Sequence, residues 1–145
     1  MEKYELGKQI GHGNYGTVHL VTHVAERRPY VVKRIPVHKM KEQSEALREA
    51  QLLSRLRHPN VIAYKESFLY DDDKTLCIVT AFAEDGDLFT HISRAKAARR
   101  YFPERQVLDW VAQIALALDH IHGMRVMHRD LKTQNIFLGR GGVIK

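Results

Sequence analysis

Gly11-His12-Gly13-Asn14-Tyr15-Gly16-Thr17-Val18 sets three glycines in a G-x-G-x-x-G-x-V string near the start of a 145-residue chain. Glycine is needed where backbone must approach phosphate oxygens closely, or adopt angles that a side chain forbids. What comes after the glycines decides the fold. In a dinucleotide-binding fold they open a helix. Here Val18, Leu20 and Thr22 continue with a period of two, so the string predicts the tip of a strand hairpin. A Walker-type phosphate loop is excluded, because no Gly-Lys-Ser/Thr follows.

Strand signals continue on both sides. Tyr4-Glu5-Leu6 leads into the glycines, and Tyr30-Val31-Val32-Lys33-Arg34-Ile35 follows a polar turn at Glu26-Arg27-Arg28. From about Lys41 to Arg57 the period becomes helical, with Ala46, Ala50, Leu53 and Leu56 on one seam and His58-Pro59-Asn60 as the stop. Val61–Phe68 and Thr75–Phe82 flank the acidic turn Asp71-Asp72-Asp73 and predict a second hairpin. Beyond about residue 83 the chain turns helical, over Leu88–Lys96 and more strongly over Pro103–His122. Pro103 suits that helix's first turn and Gly123 its end. Val107, Trp110, Val111, Ile114, Leu118 and Ile121 form its stripe, and Leu108, Ala115, Leu116 and Ala117 widen it. Such a helix calls for cover on more than one side, and little chain remains to supply it.

A lid over phosphates needs a cation beneath it. Lys33 follows apolar residues on the next strand, where a charge is costly unless paired. A carboxylate on the following helix can position it, and Glu45 and Glu49, one turn apart on one face, both qualify.

The composition is that of a folded soluble chain, with 28% charged and 44% hydrophobic residues. No apolar run approaches the ~18–20 residues of a membrane span. Glu2 replaces the glycine of a myristoylation start, and no apolar segment of a signal peptide follows it. Cys77, the single cysteine, sits in an apolar run and reads as a buried inert thiol. The net charge of +6 raises nucleic acid as a partner. The basic residues are scattered, however, and the densest group (Arg94, Lys96, Arg99, Arg100) has few aromatics to stack on bases. It reads as a solvated face or, failing that, a surface for an acidic partner.

His128-Arg129-Asp130-Leu131-Lys132-Thr133-Gln134-Asn135 carries the most specific chemistry. Asp130 can orient a hydroxyl and accept its proton. Lys132 can neutralise charge on a transferred phosphoryl group, and Asn135 offers a neutral oxygen to Mg²⁺. His128 does not have metal-ligand spacing, and His120 and His122, two apart on a helix, do not face one another.

The string matches each fixed position of H-R-D-L-K-x-x-N, and with it the chain resembles the eukaryotic protein kinases over essentially its whole length. Leu56-Arg57-His58-Pro59-Asn60-Val61, Tyr64-Lys65-Glu66-Ser67-Phe68, Gly86-Asp87-Leu88-Phe89, Asp109-Trp110-Val111-Ala112-Gln113-Ile114 and Thr133-Gln134-Asn135-Ile136-Phe137-Leu138 are similar to strings of the NIMA-related serine/threonine kinases. The resemblance implies an α+β, protein-kinase-like fold. Residues 1–80 or so would be a complete β-rich N-lobe with one main helix, 81–87 a hinge, and 88–145 the first helices and catalytic loop of an incomplete C-lobe. It also implies ATP and Mg²⁺ as cofactors and protein Ser/Thr hydroxyls as acceptors, Lys132 arguing against tyrosine. Nucleic acid and membrane are not expected partners. The implied location is cytoplasmic, with the cytoskeleton and cilium as family associations.

By position, the resemblance assigns Asp130, Lys132, Asn135 and Lys33 to catalysis, with Asn135 also a metal ligand. ATP would be held by Ile10, Gly11, His12, Gly13, Asn14, Tyr15, Gly16, Val18, Val31, Lys33, Thr80, Ala81, Phe82, Ala83, Asp87 and Phe137. Ile10, Val18 and Val31 would roof the adenine and Phe137 would floor it. Thr80 would be the gatekeeper, Ala81 and Ala83 would offer backbone to adenine, and Asp87 would meet the ribose. Counting back from His58-Pro59-Asn60 selects Glu49 as the partner of Lys33. Leu53 and His128 would join the hydrophobic column of the active state, and Arg129 would capture an activation-loop phosphate. The chain departs from the group in a slightly short Lys33-to-Glu49 segment. It also ends at Gly141-Gly142-Val143-Ile144-Lys145, before the D-F-G string whose aspartate is the second metal ligand. The expectation for the chain alone is therefore poor stability and no useful turnover, with a non-catalytic nucleotide-binding or decoy role as the alternative.

Overall fold

The computed structural model describes residues 1–13, 16–37, 40–72 and 74–145, without the side chains of residues 40–43, 46 and 49. It divides into two compact units. The first holds Met1–Arg57 and Ala63–Phe82, the second His58–Ile62 and Ala83–Lys145.

The first unit is a five-stranded antiparallel sheet with one helix. β1 (Tyr4–Gly13), β2 (Gly16–His23), β3 (Arg28–Pro36), β4 (Tyr64–Tyr70) and β5 (Thr75–Ala81) lie in the order β1-β2-β3-β5-β4. α1 (Met40–Arg55) comes between β3 and β4. The glycine string is a hairpin tip, as the alternation after it required, with Gly13 paired to Gly16. The expected second hairpin also forms, but β4 starts at Tyr64, three residues later than the apolar pattern suggested. The reason lies in the second unit, to which residues 58–62 belong.

Alternation along the strands makes two cores. Tyr4, Val21, Val32, Cys77 and Val79 pack on one face of the sheet. Val37, Ala50, Leu76 and Ile78 pack on the other, joined by Ile35, Leu47 and Leu53, so α1 covers that face. Cys77 is buried as expected, and burial raises its thiol pKa.

The second unit contains α2 (Leu88–Ala97), α3 (Glu104–Gly123), 3-10 turns at Thr133–Asn135 and Arg140–Gly142, and the short pair β6 (Leu138–Gly139) and β7 (Val143–Ile144). Leu88, Trp110, Ile136, Leu138 and Ile144 form its core. Pro103 is the N-cap of α3 instead of lying inside its first turn. Of the stripe expected on α3, Trp110 and Ile121 are buried, whereas Val107 and Val111 are exposed.

Candidate functional site

In the first unit the register sets which side chains share a face. Gly11 pairs with Val18, Val18 with Lys33, and Lys33 with Ile78. One step along, Leu20 pairs with Val31, and Val31 with Thr80. Directly opposed residues share a face, as do residues two apart on a strand. Gly11, Val18, Val31, Lys33 and Thr80 therefore stand on one face, the same one that carries Ile35 and Ile78 toward α1. Ile10 is exposed, and Val18, Val31 and Thr80 are half-buried. Asn14, Tyr15 and the Glu49 side chain lie outside the described residues, so the proposed Lys33 partner is placed only as a position on α1.

Gly16 has a reason for being glycine that the sequence did not disclose. Its φ is +132°, and a Cβ there would stand 1.9 Å from the Arg34 carbonyl oxygen of β3. Gly16 lies against that strand, where only a bare backbone fits. Gly7 is similar, since its Cβ would meet the Leu20 carbonyl oxygen at 2.7 Å. Gly7 falls outside the G-x-G-x-x-G string, so spacing gave no signal for it.

At the end of β5, Ala81 N–H donates to the Ala63 carbonyl at 2.8 Å. Phe82 is the last residue of the first unit, and Ala83 begins the longer of the second unit's two segments.

In the second unit, Asp87 caps α2. One carboxylate oxygen accepts from Thr90 N at 2.7 Å and the other from Thr90 Oγ1 at 2.8 Å. Each oxygen keeps a further lone pair, so a ribose contact remains chemically open. Asp87 also bridges to the strand-like backbone at Phe137, and Leu88 N–H donates to Ile136 O at 2.8 Å. This ties the start of α2 to the segment just after the 128–135 string.

Within that string the side chains converge on Asp130. Lys132 Nζ lies 2.8 Å from Asp130 Oδ2. Asn135 Nδ2 donates to the same oxygen at 2.8 Å and to the Asp130 carbonyl at 2.9 Å. Asp130 N–H in turn reaches His128 Nδ1 at 3.3 Å, across a left-handed Arg129 with φ of 64°. The Lys132 hydrogen bond, followed by that of Asn135, holds the Asp130 carboxyl below its usual range. Arg129 is exposed. Two acceptors fix the Asn135 amide, since only its nitrogen can donate. Its Oδ1 is left as a neutral oxygen suited to a hard cation. It is one oxygen that Mg²⁺ could use, although among the described residues no group of three His, Cys, Asp or Glu side chains could hold a metal ion by itself.

Several residues that hold this unit together were missed. Asn60 Nδ2 donates to Gln113 Oε1 (2.8 Å) and to Ile144 O (3.0 Å), and Ile144 N–H donates to the same Gln113 oxygen at 2.8 Å. His58 stacks on His120 with centroids 5.1 Å apart. Asn60 appeared in the sequence as part of a helix stop and of a family-like string, with no bonding role assigned to it.

A model of the protein kinase domain matches residues 4–145. The chain belongs to the protein kinase family. It is 44% identical over 147 residues to serine/threonine-protein kinase Nek1 of Mus musculus, covering 100% of this chain and 12% of that protein. It is 44% identical over 138 residues to Nek4 of Mus musculus (94% of this chain, 17% of that protein), and 40% identical over 147 residues to Nek6 of Oryza sativa subsp. japonica (100% and 27%). Within the family it belongs to the NIMA-related serine/threonine group. The chain thus spans only 12% to 27% of the length of these three relatives.

Proposed function

We propose that these residues serve phosphoryl transfer from ATP to serine or threonine hydroxyls of a protein substrate. The observation that carries this is the convergence of Lys132 and Asn135 on one oxygen of Asp130. Oδ2 is committed to these two donors, which leaves Oδ1 to receive the hydrogen of an incoming hydroxyl.

A carboxyl held below its usual range is a weak base, so Asp130 acts first by orientation. It takes the proton as the oxygen loses electron density. That suits phosphoryl transfer, in which positioning and charge stabilisation do most of the work. Lys132, poised at Asp130, can share its charge with the group being transferred. Lys33, on the face of Val18 and Gly11, is suited to hold phosphate charge, and Asn135 Oδ1 to hold Mg²⁺. Bound Mg²⁺-ATP would supply the phosphoryl group and its activation. The relatives named above, all serine/threonine kinases by name, support the acceptor class.

The test is transfer of radiolabelled phosphate to peptides offering only serine, threonine or tyrosine. Labelling of serine or threonine that falls by about 10²–10⁴-fold in Asp130→Ala supports the proposal. Turnover that survives the substitution sinks it. Nucleotide binding by the 145-residue chain reads the other half separately. Lys33→Ala should weaken it by roughly tenfold or more, the worth of one charge-assisted contact.

A further inference from the structure

We propose that the turn joining α2 to α3 is a docking surface for an acidic peptide segment of a partner protein, read by Arg99, Arg100, Tyr101 and Arg105. Phosphotransfer does not use these residues, and the inference stands apart from it.

Tyr101 is 97% exposed, while its neighbour Phe102 packs edge-on against Trp110 with centroids 5.0 Å apart. The chain thus anchors one aromatic ring and presents the next to solvent. The turn is held on both sides. Ala98, Arg99 and Arg100 donate their N–H groups to the carbonyls of Arg94, Lys96 and Ala95 at 2.9 to 3.1 Å, and Gln106 and Val107 donate to that of Pro103. A backbone fixed in advance loses little of its own freedom on binding. Tyrosine and arginine are also the residues that most often carry interface energy.

The charges divide into explained and unexplained ones. Arg94 and Lys96 occupy the last turn of α2, where cations complement the helix dipole. Arg105 stands in the first turn of α3, where a cation opposes it. Arg99, Arg100 and Arg105 are exposed and make no ion pair among the described residues. Three guanidinium forks with no carboxylate partner among the described residues suit carboxylates supplied from outside. A single aromatic ring gives no stacking platform for nucleic acid. Residues 98–101 (Ala-Arg-Arg-Tyr) offer no bulky aliphatic side chain to enter a lipid surface.

The test uses the whole chain and a fluorescein-labelled decapeptide of alternating Glu and Asp, followed by anisotropy. Arg99→Gln/Arg100→Gln should weaken binding about tenfold. Tyr101→Ala should weaken it several-fold with no change in charge. Arg27→Gln/Arg28→Gln, which removes the same charge from the exposed junction of a turn and β3 in the other unit, should leave it unchanged. Circular dichroism and nucleotide affinity should be unaltered in every variant, which separates this test from the fate of the phosphotransfer reading. The proposal is overturned if the Arg27/Arg28 variant weakens binding equally, if the peptide does not bind, or if oligothymidine or phosphatidylserine vesicles bind more tightly than the peptide.

Discussion

Asn135 donates twice to Asp130, to its carbonyl at 2.9 Å and to carboxylate Oδ2 at 2.8 Å, so residues 130–135 close into a loop fastened by one amide. Because Oδ2 also meets Lys132, the carboxylate is fixed in rotation and its free oxygen is defined.

The charge state of Asp130 follows from those contacts. Lys132 first, and Asn135 second, lower its pKa in the folded chain. The ionised form, and whatever it contributes, is thus fully present above the ordinary aspartate value of about 3.9 and is lost only as pH falls through the lower folded value. Activity that depends on Asp130 should show no acid limb from this group between about pH 5 and 8. Lys132→Met and Asn135→Ala should each move its titration upward, as followed by the carboxyl carbon shift in NMR. A titration unmoved in Lys132→Met would contradict the contact.

Two glycines of the loop should behave differently. Gly16→Ala drives a Cβ into the Arg34 carbonyl at 1.9 Å and forces a φ of +132° on an L side chain. It should cost well over about 1 kcal/mol and weaken nucleotide binding. At Gly11 a Cβ would meet the Val18 side chain at 3.4 Å, a tight but yielding contact. Gly11→Ala should therefore melt close to the parent. Equal melting losses in the two variants would remove the distinction.

Asp87 offers a test of capping against charge. Burial pushes its carboxyl up, but the Thr90 hydrogen bonds more than offset this and lower its pKa. Its stabilisation is therefore present above the ordinary aspartate value and is lost as pH falls through the folded one. Asp87→Ala should destabilise the chain by about 0.5–2 kcal/mol, while Asp87→Asn, which can still accept from Thr90, should stay near the parent. Urea titration at neutral pH decides this, and an Asn variant as weak as the Ala variant would assign the effect to charge.

How much of this was legible depended on the range of the interaction. The hairpin tip could be read because strand alternation at Val18, Leu20 and Thr22 is a local signal. The loop at Asp130 could be read because its partners lie within five residues. Val61–Ala63 looked like strand because apolar residues continue there. Those residues are kept out of β4 by the preceding segment, whose Asn60 bonds to Gln113 and Ile144, 53 and 84 positions away. No periodicity encodes such a bond. Gly16's contact with the Arg34 carbonyl was hidden likewise, because it depends on β3 lying against Gly16.

That long-range node is itself testable. Asn60 is buried, and its amide serves two acceptors at once. Asn60→Ala leaves the Ile144 carbonyl without this donor and should cost about 1–3 kcal/mol. Asn60→Asp keeps the shape but, when ionised, turns oxygens toward two other oxygens, and should cost at least as much. Denaturant melts of the three proteins measure this. An Asp variant as stable as the parent would mean that Gln113 and Ile144 do not depend on the Asn60 donor.

The apolar breadth of α3 gives the last prediction. Leu108, Val111 and Leu116 are 61%, 57% and 58% exposed, so the helix that the sequence made apolar nearly all round presents one broad apolar face to solvent. Exposed apolar surface of this kind binds hydrophobic dyes and promotes association. These side chains bury little area within the chain, so replacing them should change stability by no more than about 0.5 kcal/mol each. The triple substitution Leu108→Gln/Val111→Gln/Leu116→Gln should therefore lower dye fluorescence several-fold and shift the chain toward monomer in light scattering, with its melting point nearly kept. If the triple variant instead unfolds, these three residues hold the chain together, and the exposure of this face is not the property that governs its association.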